Sequence, residues 1–567
     1  MTTRVSPGQL TALMAGAIIV AGVLAYSNTF RNEFVWDDAS SVQLHKHVQD
    51  PSQFPQLFKE DLHAFGRGQG NFYRPLVAAS FMLDFALARR AGLSVDASGV
   101  PQVSPFLFHR TNLFWHMLAA FLLFALLTRL ETPPALRIIV PLLYVVHPLH
   151  TEAVAYISGR ADPMAAAFMF AALWFVVWDT TPRKVALGYG LSAVCFIAGL
   201  LCKESSAILP ALLFLVALLR PVPESAAKFK CYALRMIPVF VSLSILGLYG
   251  YLRFTVLDFA SPGAQTAAPL WERAIAAGQA LALYLSLLFV PVGLHMERTL
   301  DGIPVWVASV GLAVLLACMG VVIRGIQYRQ YRLVLGVAWF LVTWFPISGL
   351  IPLNAPMAEH WLYVPLAGLL WAFGELGALV LRSARSQRVA LAAVYGLSVW
   401  YFAVTVTRNR DWRDNETLYR ATLAENPNSL RVQFNLAVTY QDLLNNVPGA
   451  RRHFEKLLEA AAGHKKRVGI APENLLDEEL EAHLALGDIY FDLKQYRKAG
   501  EHYANVLRVV PTEANKSLVG AATLSLGRCS LALGDSARAA LAFQQLLKAQ
   551  PEMQIAVDQL LGSPGPI

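Results

Sequence analysis

Through residue 407 the apolar positions of this chain run in long blocks broken by short polar segments; beyond it they take the three-and-four spacing of amphipathic helices. A hydrocarbon core of about 30 Å needs about 20 apolar residues in a helix. On that ruler the sequence predicts spans at 9–26, 109–128, 135–150, 163–179, 185–202, 204–220, 235–252, 303–323, 332–352, 361–381 and 388–407. A further run, 274–292, reads either as a crossing or as a re-entrant or interfacial helix. The first block has only Arg4 ahead of it and no small-residue cleavage site behind it. That marks a retained span with a cytoplasmic N-terminus rather than a removed signal peptide.

Basic residues set the orientation, because cytoplasmic loops keep Lys and Arg. With Arg4 inside, Arg129 and Arg137, Arg183 and Lys184, and the cluster from Arg220 to Arg235 also fall inside. Arg324, Arg329 and Arg332, then Arg382, Arg385 and Arg388, do so only when 274–292 keeps both ends outside. The favoured arrangement has about 11 crossings and an external C-terminus; the alternative is a crossing at 274–292 where the charge bias fails. A hydrophobic fraction of 56% fits a polytopic bundle better than a soluble core. The net charge of +8 does not point to nucleic acid, since the basic residues gather in short loops instead of forming one face. The five cysteines show no CxxC or other metal spacing and no disulfide framework.

The soluble part has an internal period. Leu486, Gly487, Tyr490, Ala499, Tyr503 and Pro511 match the small and aromatic positions of a tetratricopeptide repeat of about 34 residues. Leu526, Gly527, Ala539, Phe543 and Pro551 form a second copy, with Ser530 in place of the tyrosine. Leu436, Ala437, Tyr440, Ala450 and Phe454 form an earlier one. The basic stretch 463–474, with Lys465, Lys466, Arg467 and Pro472, reads as a solvated loop insertion, and 562–567 as a frayed end. The expected domains are a membrane bundle over 1–407, a linker helix over 408–429, about three repeats over 430–553 and a tail over 554–567.

The polar motifs fall in the segments placed outside. They are YSNTFRNEFVWDDASSV, NFYRPL and HRTN in and after the first loop, HPLHTEAVAYISGRADP in the second, CKESS in a hairpin between two apolar runs, and NAPMAEHWLYVP in the last. A charged group at membrane depth costs about 2.5–3.5 kcal/mol, so Lys203 and Glu204 need partners or water. His150, Glu152, Arg160, Asp162 and His360 stand at similar span edges, and together these groups can line a hydrated cavity at the outer leaflet. Asp37 and Asp38, just past the first span, are the candidate base. Each residue also has a local reading. One aspartate can cap a helix; Lys203 with Glu204, and Arg160 with Asp162, can be ion pairs; Tyr73 and Arg74 can anchor a loop; Trp361 and Tyr363 can belong to an interfacial belt. Two adjacent aspartates are too few ligands for a divalent ion, so no metal is assigned.

The order WDD, YRPL, HPLHTEAVAYISGRADP, CKESS and AEHWLYVP, followed by tetratricopeptide repeats, resembles the transmembrane and tetratricopeptide-repeat (TMTC-like) O-mannosyltransferases, in a compact, bacterial-type form. The resemblance covers nearly the whole chain. It implies an all-α fold, a polytopic transmembrane helical bundle of the GT-C kind followed by a C-terminal α-solenoid. It also implies a glycosyltransferase of the bacterial inner membrane that moves a mannose-like hexose from a polyprenyl- or dolichyl-phosphate donor to a Ser or Thr hydroxyl outside the cytoplasm. No cofactor and no nucleic acid are called for, and the repeats would bind the protein acceptor or a partner on the extracytoplasmic side. An acidic residue in the first external loop is the base expected of GT-C enzymes, and WDD supplies Asp37 and Asp38. The remaining motifs offer Tyr73, Arg74, His150, Glu152, Arg160, Asp162, Lys203, Glu204, Glu359 and His360 for the donor's phosphate and sugar.

The chemistry is consistent with those residue types. A hydroxyl is a weak nucleophile, and a carboxylate that takes its proton typically contributes about 10²–10⁴ in rate. Attack opposite the lipid phosphate inverts the anomeric carbon, and the departing phosphate needs cations more than an acid. Two other readings stay open: a membrane-anchored repeat scaffold for an envelope complex, although an anchor needs one or two spans, and a GT-C enzyme acting on a glycan or glycolipid. A transporter would carry internal repeats among its spans, and none is visible.

Overall fold

A computed structural model describes residues 6–66, 71–92, 94–95, 101–178, 181–221, 228–259, 268–468, 470–472, 474–512 and 515–562. Arg4 and the end of the chain expected to fray, 563–567, lie outside the described residues, as does part of the basic loop between Arg220 and Arg235. The chain divides into two units, Met1–Asp414 and Asn415–Ile567. Both are helical; a two-residue antiparallel pair, Ser94–Val95 with Pro101–Gln102, is the one named sheet among the described residues.

Each apolar run of the first unit forms a helix, but the helices are not all of membrane length. Among the described residues seven are long and apolar enough to cross: Gly8–Arg31, Phe106–Arg129, Arg183–Leu200, Phe229–Val256, Val307–Gln327, Glu359–Val380 and Ala384–Trp412. The chain is a multi-pass membrane protein. Pro134–Val146 and Pro148–Ala155, bent by 52°, make an eighth span if taken as one. The expected count of about 11 is not reached on this measure. Ala161–Val176, Leu209–Leu219 and Tyr331–Trp344 have 16, 11 and 14 residues, or about 24, 17 and 21 Å at about 1.5 Å per residue. The predicted span 135–150 ran through His147, which is extended ahead of Pro148 and ends Pro134–Val146, and the predicted span 204–220 opens with the 3-10 turn Glu204–Ile208 ahead of Leu209–Leu219. The ambiguous run forms the 20-residue helix Leu270–Phe289, which is not among the seven.

Phe106–Arg129 is central. It packs against Pro7–Tyr26, Pro134–Val146 and Ala161–Val176 and buries Ala119, Ala120, Leu123, Phe124 and Leu127 among them. Val307–Gln327, apolar all round, buries only Gly311 and Gly325 and turns Leu312, Leu316 and Ile323 outward, as a lipid-facing helix does. The long first polar stretch holds a helix the apolar ruler passed over, Pro75–Ala91. Proline opens it at the first turn, and Val77, Phe81, Met82 and Phe85 form a second core with Val42, Val48, Leu57 and Leu62.

The segment just after the first span lies against the segment just after the last. Asn28 Nδ2 donates to the Val406 carbonyl at 2.8 Å, Asn32 Nδ2 to Asn409 at 3.0 Å, Asn409 Nδ2 to Ala25 at 2.8 Å, and the Glu33 N–H to Arg413 at 2.8 Å. The C-terminal end of Pro7–Tyr26 and that of Ala384–Arg408 therefore meet at the same end of the bundle.

The second unit is a run of antiparallel helix pairs: Leu430–Val438 with Val447–Val468, Asp477–Asp492 with Tyr496–Val506, and Lys516–Ala532 with Ser536–Ala549. Glycine is required where the pairs cross. A Cβ on Gly487 would stand 2.4 Å from the Tyr503 ring, and one on Gly527 2.3 Å from Phe543. The expected solvated insertion is half helix, since Val447–Val468 runs through Lys465. Lys465 is buried, its Nζ 2.8 Å from Glu479 and donating to the Pro472 carbonyl at 3.0 Å. The tail begins with a helix, Gln554–Gly562.

Candidate functional site

The first loop turns sharply at WDD. Trp36 sits in the left-handed region at φ 53°, which non-glycine residues seldom adopt. Its ring stacks on Tyr156 at 5.6 Å between centroids, and Tyr156 stacks on Trp412 at 5.3 Å. Beyond that turn the two aspartates have different surroundings. Asp38 is fully buried; its Oδ1 accepts from the Ser158 N–H at 2.8 Å and the Ser158 hydroxyl at 2.6 Å, and its Oδ2 accepts from the Val35 N–H at 3.0 Å. Burial pushes its carboxyl up to about 7, against the pull of the Ser158 and Val35 contacts. Ser158 belongs to ISGRADP, so Asp38 ties the first loop to the second. The glycine of that motif lets the second loop fold tightly on itself: a Cβ on Gly159 would meet the Glu152 carbonyl at 2.5 Å.

Asp37 is half-buried, and its carbonyl accepts from the hydroxyls of Ser40 at 3.0 Å and Ser41 at 2.9 Å. The Ser40 hydroxyl also meets His63 Nδ1 at 2.9 Å. Burial lowers the affinity of His63 for a proton, Asp37 opposes that shift, and Arg74 adds to it, so the three share one polar neighbourhood. Arg74 leads to CKESS. Its Nη2 is 3.1 Å from Glu204 Oε2, and Arg253 Nη1 is 3.3 Å from Glu204 Oε1. One partly exposed carboxylate thus bridges two guanidiniums. Arg253 also donates to the Tyr249 hydroxyl at 3.0 Å and the Asn71 carbonyl at 2.7 Å.

The other candidates are held in separate contacts. Arg160 is fully buried, 2.6 Å from Asp84, and donates to Asn112 Oδ1 at 2.6 Å, to the Ser80 hydroxyl at 2.9 Å and to the Phe108 carbonyl at 2.9 Å. It pairs with Asp84, not Asp162. Asp162 instead takes Lys203, Nζ to Oδ1 at 2.6 Å, while Glu204 faces Arg74 and Arg253. Glu152 is buried with its Oε1 2.9 Å from His360 Nδ1, and Glu359 is buried with its Oε1 2.7 Å from Arg298 Nη2. His150 is buried in a box of rings, 4.4 Å from Tyr144 and 4.3 Å from Tyr363. Tyr73 is buried and donates to the Phe58 carbonyl at 3.1 Å. Among the described residues no group of three or more His, Cys, Asp or Glu side chains is arranged to hold a metal ion.

Sequence reasoning missed Asp84, Arg253, Arg298 and Arg408. Asp84 carried a signal, a single acid inside the apolar stretch ASFMLDFAL, and HRTN was noted without its Asn112 being matched to Arg160. Arg253 had only its place at the foot of an apolar run.

A tetratricopeptide repeat family model matches residues 484–553. Over most of its length the chain is similar to protein O-mannosyl-transferase TMTC4 of Mus musculus, 24% identical across 77% of this chain and 66% of the relative. It is equally similar to protein O-mannosyl-transferase Tmtc3 of Drosophila melanogaster, 24% identical across 87% of this chain and 58% of the relative, and to TMTC3 of Homo sapiens, 24% across 87% and 55%. Its homologues are TMTC proteins. The chain spans about 55–66% of the length of these relatives, and no solved structure matches it.

Proposed function

We propose that the chain is a membrane glycosyltransferase that moves a mannose-like hexose from a polyprenyl-phosphate carrier to a Ser or Thr hydroxyl on the extracytoplasmic side, with inversion. The observation that carries this reading is the polar cluster beside WDD in a chain whose homologues are named protein O-mannosyl-transferases: a half-buried aspartate, Asp37, is linked through Ser40, His63 and Phe72 to Arg74, which one carboxylate holds together with Arg253. In this reading Asp37 takes the acceptor's proton. Arg74 and Arg253 meet the departing phosphate, and Glu204 keeps the two guanidiniums poised while the site is empty of substrate. Asp38 and Arg160 hold the loops in place.

The clamp between residues 25–33 and 406–413 supports an odd number of crossings, since the first and last spans both run toward the end of the bundle that bears WDD. In this reading the repeats are extracytoplasmic and would hold an extended acceptor segment or a partner protein. Mass spectrometry of exported proteins, with and without the gene, tests the reading. Loss of a hexose from Ser or Thr supports it. An unchanged proteome with an altered glycolipid would move the acceptor to that class, and no change in either would favour the scaffold.

A further inference from the structure

We propose that Arg408, Glu359, His360 and Trp412 form the subsite that reads the hydroxyl groups of the donor's sugar; the inference rests on the transfer reading above. Arg408 closes the last span. It is 4% exposed, yet only its Nη1 is engaged, by Asp411 at 2.8 Å. Its Nε and Nη2 are buried and meet no acceptor among the described residues. These two N–H groups form the parallel edge of the guanidinium, which suits two oxygens on neighbouring atoms. The Trp412 ring lies 5.6 Å from Arg408 Cζ, and its buried Nε1 also lacks a partner among the described residues. An acceptor of the opposite kind is also unmet. Glu359 Oε2 is buried without a donor, although Oε1 of the same carboxylate is held by Arg298 and by the His295 N–H at 2.7 Å. The helix Thr151–Ala155, whose Glu152 meets His360, packs against both Glu359–Leu362 and Asn409–Trp412, which places the two sets of unmet groups around one region.

Charge decides what such a region takes. Arg408 and Arg298 stand against Glu152, Glu359 and Asp411, and burial and the two arginines together lower the proton affinity of His295. With His360 paired to Glu152 the cluster is near neutral or slightly acidic, so a phosphate or carboxylate has no advantage there. Buried N–H donors beside a buried carboxylate oxygen ask instead for groups that both accept and donate, and a pair of adjacent hydroxyls does so. His360 and Asp411 remain partly exposed, leaving the region open to solvent. The aromatic stack gives its position relative to the base: Trp412 and Trp36, the residue preceding Asp37, both stack on Tyr156.

The test compares two lipids on the purified full chain, polyprenyl phosphate mannose and sugar-free polyprenyl phosphate, by competition binding alongside sugar transfer. Arg408→Lys keeps the charge facing Asp411 and loses the paired N–H edge. Trp412→Phe keeps a ring on Tyr156 and loses Nε1, and serves if the lysine variant does not fold. Each should weaken binding of the mannosylated lipid by about tenfold, the scale of one good hydrogen bond in a buried site, and leave the sugar-free lipid unchanged. Equal weakening toward both lipids, or toward neither, in a wild-type background that transfers sugar overturns the subsite alone. A wild-type chain that transfers no sugar overturns the transfer reading and the subsite with it.

Discussion

Arg160→Gln separates a framework arginine from a phosphate-binding one. The guanidinium is fully buried, 2.6 Å from Asp84 and within hydrogen-bond distance of Asn112, Ser80 and the Phe108 carbonyl, and it lies 4.5 Å over the Phe81 ring. Glutamine cannot reach all of these groups, and it leaves Asp84 charged and buried with the Thr111 hydroxyl at 2.8 Å still beside it. Removing one partner of a buried ion pair costs about 3–5 kcal/mol. Asp84→Asn in the same chain removes the stranded charge, so the double variant should regain about 2 kcal/mol of that loss. Thermal unfolding of the detergent-purified full chain reads the stability, and the KM for the lipid donor, measured on the folded fraction, reads the function. The expected result is a lowered unfolding temperature, partly restored in the double variant, with an unchanged donor KM. An unchanged unfolding temperature together with a raised donor KM would refute the framework role and return Arg160 to the phosphate.

Asp37→Asn should lower the transfer rate by about 10²–10⁴ with no change in unfolding temperature, as expected for loss of a general base; a near-normal rate would exclude it. Asp38, pushed up to about 7, keeps its proton in the folded chain at pH values where the unfolded chain has released it. Stability should therefore fall as pH rises from about 4 to about 7, by up to about 1.4 kcal/mol per unit, and level off above; Asp38→Asn should remove that slope, and an identical slope in the variant would contradict the assignment. Gly487→Ala drives a methyl to 2.4 Å from the Tyr503 ring, which should cost about 1–3 kcal/mol and speed proteolysis within 477–506 while sparing the membrane unit. Unchanged cleavage there would show that the helix pair relaxes freely.

The parts of the molecule written in local periodicity were legible before the structure. Each predicted apolar run is a helix, and Gly487 with Tyr503 and Gly527 with Phe543 mark helix crossings because the small residue and the ring are a fixed distance apart in sequence. Helix length was not legible, since a hydropathy ruler has no means of seeing that His147 takes extended backbone or that Glu204–Ile208 forms a 3-10 turn, each of which shortens the α-helix of a predicted span. Pro75–Ala91 escaped notice because it buries its apolar face under a loop rather than in lipid. Partners were harder still. Arg160 and Asp162 are two residues apart and looked like a pair, yet each is matched by a residue far along the chain, Asp84 and Lys203. Asp37 and Asp38 are adjacent and looked equivalent; the turn at Trp36 buries one and leaves the other half-open.

The most direct test places the purified full chain in vesicles with polyprenyl phosphate mannose and a Ser/Thr-containing peptide on the accessible side, and analyses the peptide by mass spectrometry. The account predicts a single hexose on a hydroxyl, of inverted anomeric configuration, formed by the wild type and lost in Asp37→Asn. A folded, inserted wild type that leaves the peptide unmodified, or an Asp37→Asn chain that matches its rate, would contradict it.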